Sequence, residues 1–216
     1  CFVDRLLEFN VTNSSFYMAS GLGVGDHAIY MARYIEKVNI NSCYFWSAET
    51  DTTIGPLVEF GAYEKCIQNV SISNCVFSTR IALDIRGNGK YTISDCISKT
   101  YSYFMRPCGG LDITITNCQI ESGIGVVSPS TAKEQYVAPM NVFMDNSIIN
   151  AISLYSFDSS ANTDINITIN NCDVKTTDIA IYSSSVPSVF RFINSKFTVA
   201  NETAFARYYH TNEMEL

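Results

Sequence analysis

The residues best suited to do chemistry are two acidic side chains, Glu59 and Asp84, which occupy corresponding positions in the strands that follow neighbouring copies of a repeated segment. When the copies are aligned by their apolar residues, both carboxylates point outward from adjacent strands, with about 5 Å between the side chains. A separation of about 5 to 5.5 Å is typical of the carboxylate pair of a retaining glycosidase. The two residues are therefore candidate catalytic groups for cleavage of a glycosidic bond.

The same outward column supplies side chains that could bind a sugar. Its aromatic rings could stack on sugar rings, and two arginines that lie two residues further along could hold an acidic sugar. The candidate binding residues are Tyr30, Arg86, Phe104, Arg106, Tyr155 and Tyr182. A structural interpretation stays open, because Glu59 with Arg86 and Asp84 with Arg106 could be diagonal surface ion pairs of small energetic value.

These candidates depend on an eight-residue segment whose clearest copy is 113–120. Its pattern is apolar, any, apolar, any, an Asn-like residue, Cys or Ser, any, and mostly apolar. Apolar residues alternate with Asn, Ser and Thr, and Val, Ile, Thr, Tyr and Phe are abundant, which indicates β-strands. The Cys/Ser position recurs at intervals of 21 to 32 residues, a solenoid period. The other copies are 9–16, 38–45, 70–77, 91–98, 142–149, 167–174 and 190–197.

The alternation breaks at the Asn-like position. Ile113 and Ile115 can face the same side as Cys118 only if a one-residue bend intervenes, and Asn tolerates the left-handed backbone that such a bend requires. Stacked bend side chains can form a hydrogen-bonded ladder. A third short strand follows in most copies, and three strands per turn describe a parallel β-helix. The predicted bends are Asn13, Ser42, Asn74, Asp95, Asn117, Asn146, Asn171 and Asn194.

This repeat with its bend ladder resembles the right-handed parallel β-helix of the pectin-lyase-like superfamily, which includes pectate lyases, polygalacturonases and many bacteriophage tailspikes. The resemblance covers nearly the whole chain. It implies an all-β, right-handed, single-stranded parallel β-helix of about eight coils with three strands per coil. We expect one domain over 1–216, excised from a longer chain, with 208–216 as a cap or linker. Most polygalacturonase motifs are missing, so the resemblance implies no particular reaction.

The cysteines are predicted to pack rather than to react. A position that takes either Cys or Ser is small, half-polar and buried, so we predict a stack of free thiols there instead of disulfides. No Cys-x-x-Cys pair occurs, which disfavours a zinc site, and we predict neither a metal nor a cofactor. The position holds Cys43, Cys75, Cys96, Cys118 and Cys172, and Ser14, Ser147 and Ser195 in the remaining copies. The other cysteines, Cys1, Cys66 and Cys108, lie outside this column.

Charge and hydropathy narrow the function classes. The formal net charge of −7 disfavours binding to nucleic acid or to an anionic membrane surface. No apolar run approaches the roughly 18 residues of a transmembrane helix. The leading expectation is a phage tail-spike or fibre module, or a surface adhesin, that presents a glycan-binding face outside the cell or on a virion.

Two alternatives accompany that expectation. The first is a polysaccharide lyase or glycoside hydrolase that uses Glu59 and Asp84, and the second is a purely structural spacer. Because the open ends of a β-helix invite edge pairing, we expect a homotrimer or neighbouring domains to cover them.

Overall fold

A computed structural model describes the backbone of residues 5–19, 27–31, 34–47, 58–60, 67–85, 88–107, 111–129, 140–156, 165–178, 181–183, 188–200, 206–208 and 213–215. Within these ranges every regular element is a β-strand, and the strands pair in parallel. The predicted all-β parallel solenoid is therefore confirmed. In the same ranges, no helix has the length and apolar character needed to cross a bilayer.

The strands follow the repeat. Each motif copy contributes one strand before its bend and one after it, and further strands follow downstream. In chain order they are β1 Arg5–Thr12, β2 Ser15–Met18, β3 Ile29–Met31, β4 Tyr34–Asn41, β5 Tyr44–Ser47, β6 Val58–Phe60, β7 Ile67–Ser73, β8 Val76–Ile85, β9 Asn88–Ser94, β10 Ile97–Pro107, β11 Leu111–Thr116, β12 Gln119–Val127, β13 Met140–Asp145, β14 Ile148–Ser156, β15 Ile165–Asn170, β16 Asp173–Thr176, β17 Ile181–Ser183, β18 Ser188–Ile193, β19 Lys196–Val199, β20 Ala206–Tyr208 and β21 Glu213–Glu215.

The described strands form two sheets. The first sheet contains nine strands in the order β1-β4-β7-β9-β11-β13-β15-β18-β21, which are the strands before the bends and a last strand that follows them. The second sheet contains the strands after the bends, β2, β5, β8, β10, β12, β14, β16 and β19, together with the short strands β3, β6, β17 and β20. In β8, β10, β12 and β14 the predicted second and third strands form one continuous strand.

The bends adopt the conformation that the pattern predicts. All eight bend residues have positive φ, between 47° and 55°. Side chains connect successive bends: Asn117 Nδ2 donates to Asp95 Oδ1 at 3.3 Å, and Asn146 Nδ2 donates to Asn117 Oδ1 at 2.7 Å. The bend ladder is confirmed over these coils. At the next coil Asn171 donates instead to Asp145, at 3.2 Å.

The interior is built from stacked identical positions. The five cysteines of the Cys/Ser column are buried free thiols, as predicted. Ser147 fits the same column, because its Oγ accepts a hydrogen bond from the backbone N of Cys118 at 3.1 Å and donates to the carbonyl of Asp145 at 2.9 Å. Burial raises the pKa of the Cys43 and Cys172 thiols. Cys1, Cys66 and Cys108 lie outside the described residues.

Two neighbouring strands, β10 and β12, each contain one more residue than the outer strand that pairs with it. Two residues of β10, 101 and 102, lie opposite a single residue of β8, and two residues of β12, 123 and 124, lie opposite a single residue of β14. Between β10 and β12 the register is continuous. The two bulges pack so closely that a Cβ on Gly123 would lie 2.2 Å from the carbonyl oxygen of Tyr101. Only glycine fits there.

Candidate functional site

The downstream parts of the second sheet bring four of the predicted site residues into one row. Tyr30 pairs with Glu59, Glu59 pairs with Asp84, and Asp84 pairs with Arg106. Successive members of such a row are about 4.8 Å apart at Cα. The predicted adjacency of the two carboxylates is therefore confirmed. Arg106 occupies the row itself, whereas the sequence alignment places it two residues further along.

Both carboxylates are buried, although they point away from the core. Their chain neighbours Val58 and Phe60, and likewise Leu83 and Ile85, belong to the hydrophobic core, so alternation directs the carboxylates to the opposite face. Only 3% of Glu59 and 0% of Asp84 is nevertheless exposed. The expectation that these side chains lie on an open surface is wrong.

A histidine that precedes β3 covers part of this row. His27 Nε2 lies 3.1 Å from Glu59 Oε2, and both side chains are almost completely buried. The imidazole also stacks on Tyr30, with 5.1 Å between the ring centroids and 18° between the planes. Sequence reasoning treats His27 as a solvent-exposed loop residue, with a contact to Asp26 as the alternative, and the burial of its side chain against Glu59 shows that the expected exposure is wrong. The contact of His27 with Glu59 can be recognised only once the pairing of β3 with β6 is known.

This arrangement has the parts of an acid–base site. An imidazole in contact with a carboxylate can hold and exchange a proton, and the second carboxylate lies one strand away. The row also places Arg106 next to Asp84, so a cation stands in register with the buried acids. The same set can serve structure alone, because buried charges require partners.

Two predicted sugar-binding aromatics lie in the core. Phe104 and Tyr155 are both 0% exposed, and the Tyr155 ring packs edge-on against Phe190 at 5.4 Å. The register places Phe104 in a row with Ala82, Val126 and Leu154, all buried and apolar. Such a row is covered because its exposure to water would be unfavourable. The expectation that Phe104 and Tyr155 are exposed to a ligand is therefore wrong.

The remaining two binding candidates are less constrained. Tyr182 pairs with Ser156 and with Arg207 in the second sheet, so its backbone continues the row of Arg106. Arg86 lies outside the described residues. Its predicted ion pair with Glu59 therefore stays a prediction, while the predicted partners Asp84 and Arg106 are direct register neighbours and not diagonal ones.

Sequence reasoning missed an exposed aromatic group, Tyr17, Tyr44 and Trp46, which we name the aromatic cluster. The Trp46 ring lies 5.3 Å from that of Tyr17 and 4.8 Å from that of Tyr44. Tyr17 is 55% and Tyr44 is 41% exposed. These residues alternate with Phe16 and Phe45, which stack face to face inside the coil at 4.9 Å. That alternation was the available signal, since it directs the aromatic neighbours outward.

Comparison with known proteins identifies no relative. No family model, no curated protein and no solved structure matches the chain. The parallel β-helix is therefore shown by the structure alone, and membership of the pectin-lyase-like superfamily stays a prediction. Among the described residues, no group of three or more His, Cys, Asp or Glu side chains could hold a metal ion.

Proposed function

We propose that this β-helix is a rigid glycan-binding module, of the type used in phage tail spikes and fibres or in surface adhesins. The observation that carries the proposal is the aromatic cluster, in which three rings meet on the outside of two adjacent strands. Ring faces carry partial negative charge and attract the polarised C–H groups of a sugar. Tyr and Trp also combine an apolar body with a polar group, which suits a surface that exchanges water for a glycan.

The scaffold suits this role. Tyr17 and Trp46 are direct register partners on β2 and β5, so backbone hydrogen bonds fix the spacing of their rings. A ligand would lose little free energy to ordering such a surface, because it is already rigid. We further propose that the module works outside the cell or on a virion surface, and that a homotrimer or neighbouring domains cover its ends.

A glycan-array experiment tests the proposal, followed by titration of the glycans that bind. Trp46 is the sole tryptophan, so its fluorescence reports directly on the cluster. We expect binding to change that fluorescence, and Tyr17→Ala to weaken binding about tenfold, which is about 1.4 kcal/mol. Phe143→Ala is the matched control, because it removes an exposed ring from the first sheet. Absence of any glycan binding, or equal losses in the two variants, would refute the proposal.

A second candidate function is a polysaccharide lyase or glycoside hydrolase. The contact of 3.1 Å between His27 and Glu59, one strand from Asp84, favours it. In a lyase the pair would remove a proton from the sugar, and in a hydrolase one carboxyl group would protonate the leaving oxygen. Because both carboxylates are buried, the segment that contains His27 would have to move for substrate to reach them.

Turnover separates the candidates. Release of reducing ends and absorbance of unsaturated sugars are followed on capsular and plant acidic polysaccharides. An enzyme loses turnover in Glu59→Gln and Asp84→Asn but keeps it in Glu8→Gln, which alters an exposed carboxylate of the first sheet. Binding without turnover supports the glycan-binding module. If the protein shows neither binding nor turnover, the structural spacer is the function that remains.

A further inference from the structure

The outward face of the second sheet carries exposed apolar side chains in a line along the rod. Ile97 is 50% and Ile148 is 46% exposed, and the register connects them through Gln119. The same line continues in the other direction through Val76 to Tyr44 of the aromatic cluster. We name these five residues the apolar line. A continuous exposed apolar surface of this kind marks a place where another molecule binds.

A line of polar residues runs beside the apolar line, two residues further along each strand. Its central members are Ser78, Lys99, Glu121 and Asn150, on the adjacent strands β8, β10, β12 and β14. We name these four residues the polar line. Lys99 and Glu121 are exposed, and neither forms an ion pair with another residue that the structure describes. Two opposite charges at the centre of the line are therefore available to a partner.

The polar line is complementary to its own reverse. Its central strands, β10 and β12, are the fourth and fifth of the eight strands of this sheet that follow a bend. A two-fold axis along the strand direction, midway between them, lays the whole face on that of a second copy with the strand order reversed. Lys99 then faces Glu121 of the second copy, and Glu121 faces Lys99. Ser78 faces Asn150 of the second copy, and the two side chains can form a hydrogen bond. Each contact across such an axis occurs twice.

The same axis lays the apolar line on its counterpart. Ile97 lies on a strand next to the axis, so the two copies of Ile97 are one strand spacing apart, about 4.8 Å along the rod. Val76 faces Ile148 of the second copy, and this contact also occurs twice. Burial of these side chains is favourable in proportion to the apolar area that leaves water. The strands of the two sheets stay aligned, which is a common way for sheets to pack face to face.

The charges argue against copies that run in the same direction. A two-fold axis parallel to the rod would place Lys99 against Lys99 of the second copy and Glu121 against Glu121. Like charges in contact across an interface are unfavourable. The reversed arrangement instead pairs opposite charges in the register that overlaps all eight strands.

The size of the face predicts a weak complex. Seven strand spacings give a length of about 34 Å, and the two lines with their side chains are roughly 14 Å wide. Two such faces bury on the order of 1,000 Å² in total, which is the lower limit for a specific interface. We therefore expect dissociation constants in the micromolar range.

We infer that the second sheet binds a second copy of this chain face to face, in an antiparallel two-fold dimer centred between β10 and β12. The dimer covers the aromatic cluster, because Trp46 faces Lys175 of the second copy, and a cation over an indole ring is favourable. A glycan and a second copy therefore compete for the cluster. The inference itself does not rest on the proposed glycan binding.

Charge reversal tests the inference, with sedimentation velocity between about 1 and 100 μM as the measurement. The unaltered protein should show a monomer–dimer equilibrium. Lys99→Glu and Glu121→Lys should each raise the Kd of the dimer about tenfold or more, because each creates two like-charge contacts. The double variant Lys99→Glu/Glu121→Lys should return the Kd to within about threefold, because it restores both pairs with their signs exchanged. Lys90→Glu, which alters an exposed lysine of the first sheet, is the control and should leave the Kd unchanged.

A second pair of variants tests the apolar contact. Ile97→Ser should raise the Kd about tenfold, because both copies of this side chain lie beside the axis. Ile193→Ser removes an isoleucine of the first sheet that is 45% exposed, and it should leave the Kd unchanged. All the altered side chains are exposed, so far-UV circular dichroism should show the same fold in every variant.

The outcomes separate this inference from the proposed function. The mass of a single chain over the whole concentration range would overturn the dimer and leave the proposed glycan binding intact. A mass of three chains would overturn the two-fold arrangement. A dimer that the single charge reversals leave unchanged, or that the double variant fails to restore, would overturn the assignment to this face.

Discussion

Replacing Asn117 with alanine tests what stabilises each bend. The backbone there has φ of 55°, a conformation that costs a residue with a Cβ atom roughly 1 to 2 kcal/mol unless local hydrogen bonds offset it. The side chain also participates in two ladder hydrogen bonds, to Asp95 at 3.3 Å and from Asn146 at 2.7 Å. Because both lie at an exposed site, each contributes near the lower end of about 0.5 to 1.5 kcal/mol. We expect Asn117→Ala to lower the free energy of unfolding by about 2 kcal/mol.

Asn141 provides a matched control. Its side chain also makes two exposed ladder hydrogen bonds, to Asp112 and from Asn166, both at 2.9 Å. Asn141 lies within a strand, however, and its φ is not positive. Asn141→Ala should therefore cost only the hydrogen bonds, about 1 kcal/mol. Asn117→Gly should cost a similar amount, because glycine adopts the left-handed conformation without strain.

Urea unfolding followed by far-UV circular dichroism measures all three variants, with stability taken from the midpoint and the slope. Asn117→Ala should lose the most free energy of unfolding, and Asn117→Gly and Asn141→Ala should lose smaller, similar amounts. If Asn117→Ala costs no more than Asn141→Ala, backbone strain does not select the bend residue. The ladder alone would then explain the preference for asparagine.

Three further predictions concern the interior. Gly123→Ala should cost about 3 kcal/mol or more in thermal unfolding, since the new Cβ would lie 2.2 Å from the Tyr101 carbonyl oxygen, and a loss below 1 kcal/mol would contradict the close packing of the two bulges. Cys118→Ser should lower the free energy of unfolding by only about 1 kcal/mol, because the carbonyl of residue 116, 3.2 Å from the thiol, can accept a hydrogen bond from the new hydroxyl. Cys118→Leu should overpack the column and cost up to about 3 kcal/mol. Equal losses in the two variants would show that side-chain size does not define the column. Burial raises the pKa of the Cys43 and Cys172 thiols, so their contribution to the free energy of unfolding should be fully present below the unfolded-thiol pKa of about 8.5 and should be lost as the pH rises above it. A Cys43→Ser/Cys172→Ser variant should lose less free energy of unfolding between pH 7 and pH 10 than the unaltered protein. An identical pH dependence of the two proteins would refute this.

The repeat could be predicted because its rules are local. The facing of Ile113, Ile115 and Cys118 requires a bend at Asn117, and this follows from strand alternation without knowledge of any distant contact. The Cys/Ser column follows for the same reason. Stacking then pairs equal positions of successive coils, so the adjacency of Glu59 and Asp84 could also be predicted.

The surroundings of the site could not be predicted in this way. Whether Glu59 is exposed depends on what packs over its strand, and His27 reaches it from an aperiodic stretch 32 residues earlier. Phe104 and Tyr155 were misplaced because the sequence alignment put them in the row of Asp84, whereas the register pairs Asp84 with Arg106 and puts Tyr155 in the row of the core residue Leu83. The aromatic cluster obeys alternation and was predictable, but only from the strands directly after the first two bends.

The paired bulges of β10 and β12 determine which coils can be exchanged. The extra residue interrupts the register only where a bulged coil meets an unbulged one, at β8 and at β14. A block of bulged coils therefore has two such boundaries whatever its length. A duplicated coil could be added between β10 and β12 without a new boundary if it carried the same extra residue and a glycine equivalent to Gly123. An unbulged coil at that point would double the number of boundaries, so growth by duplication is easiest within each class of coil.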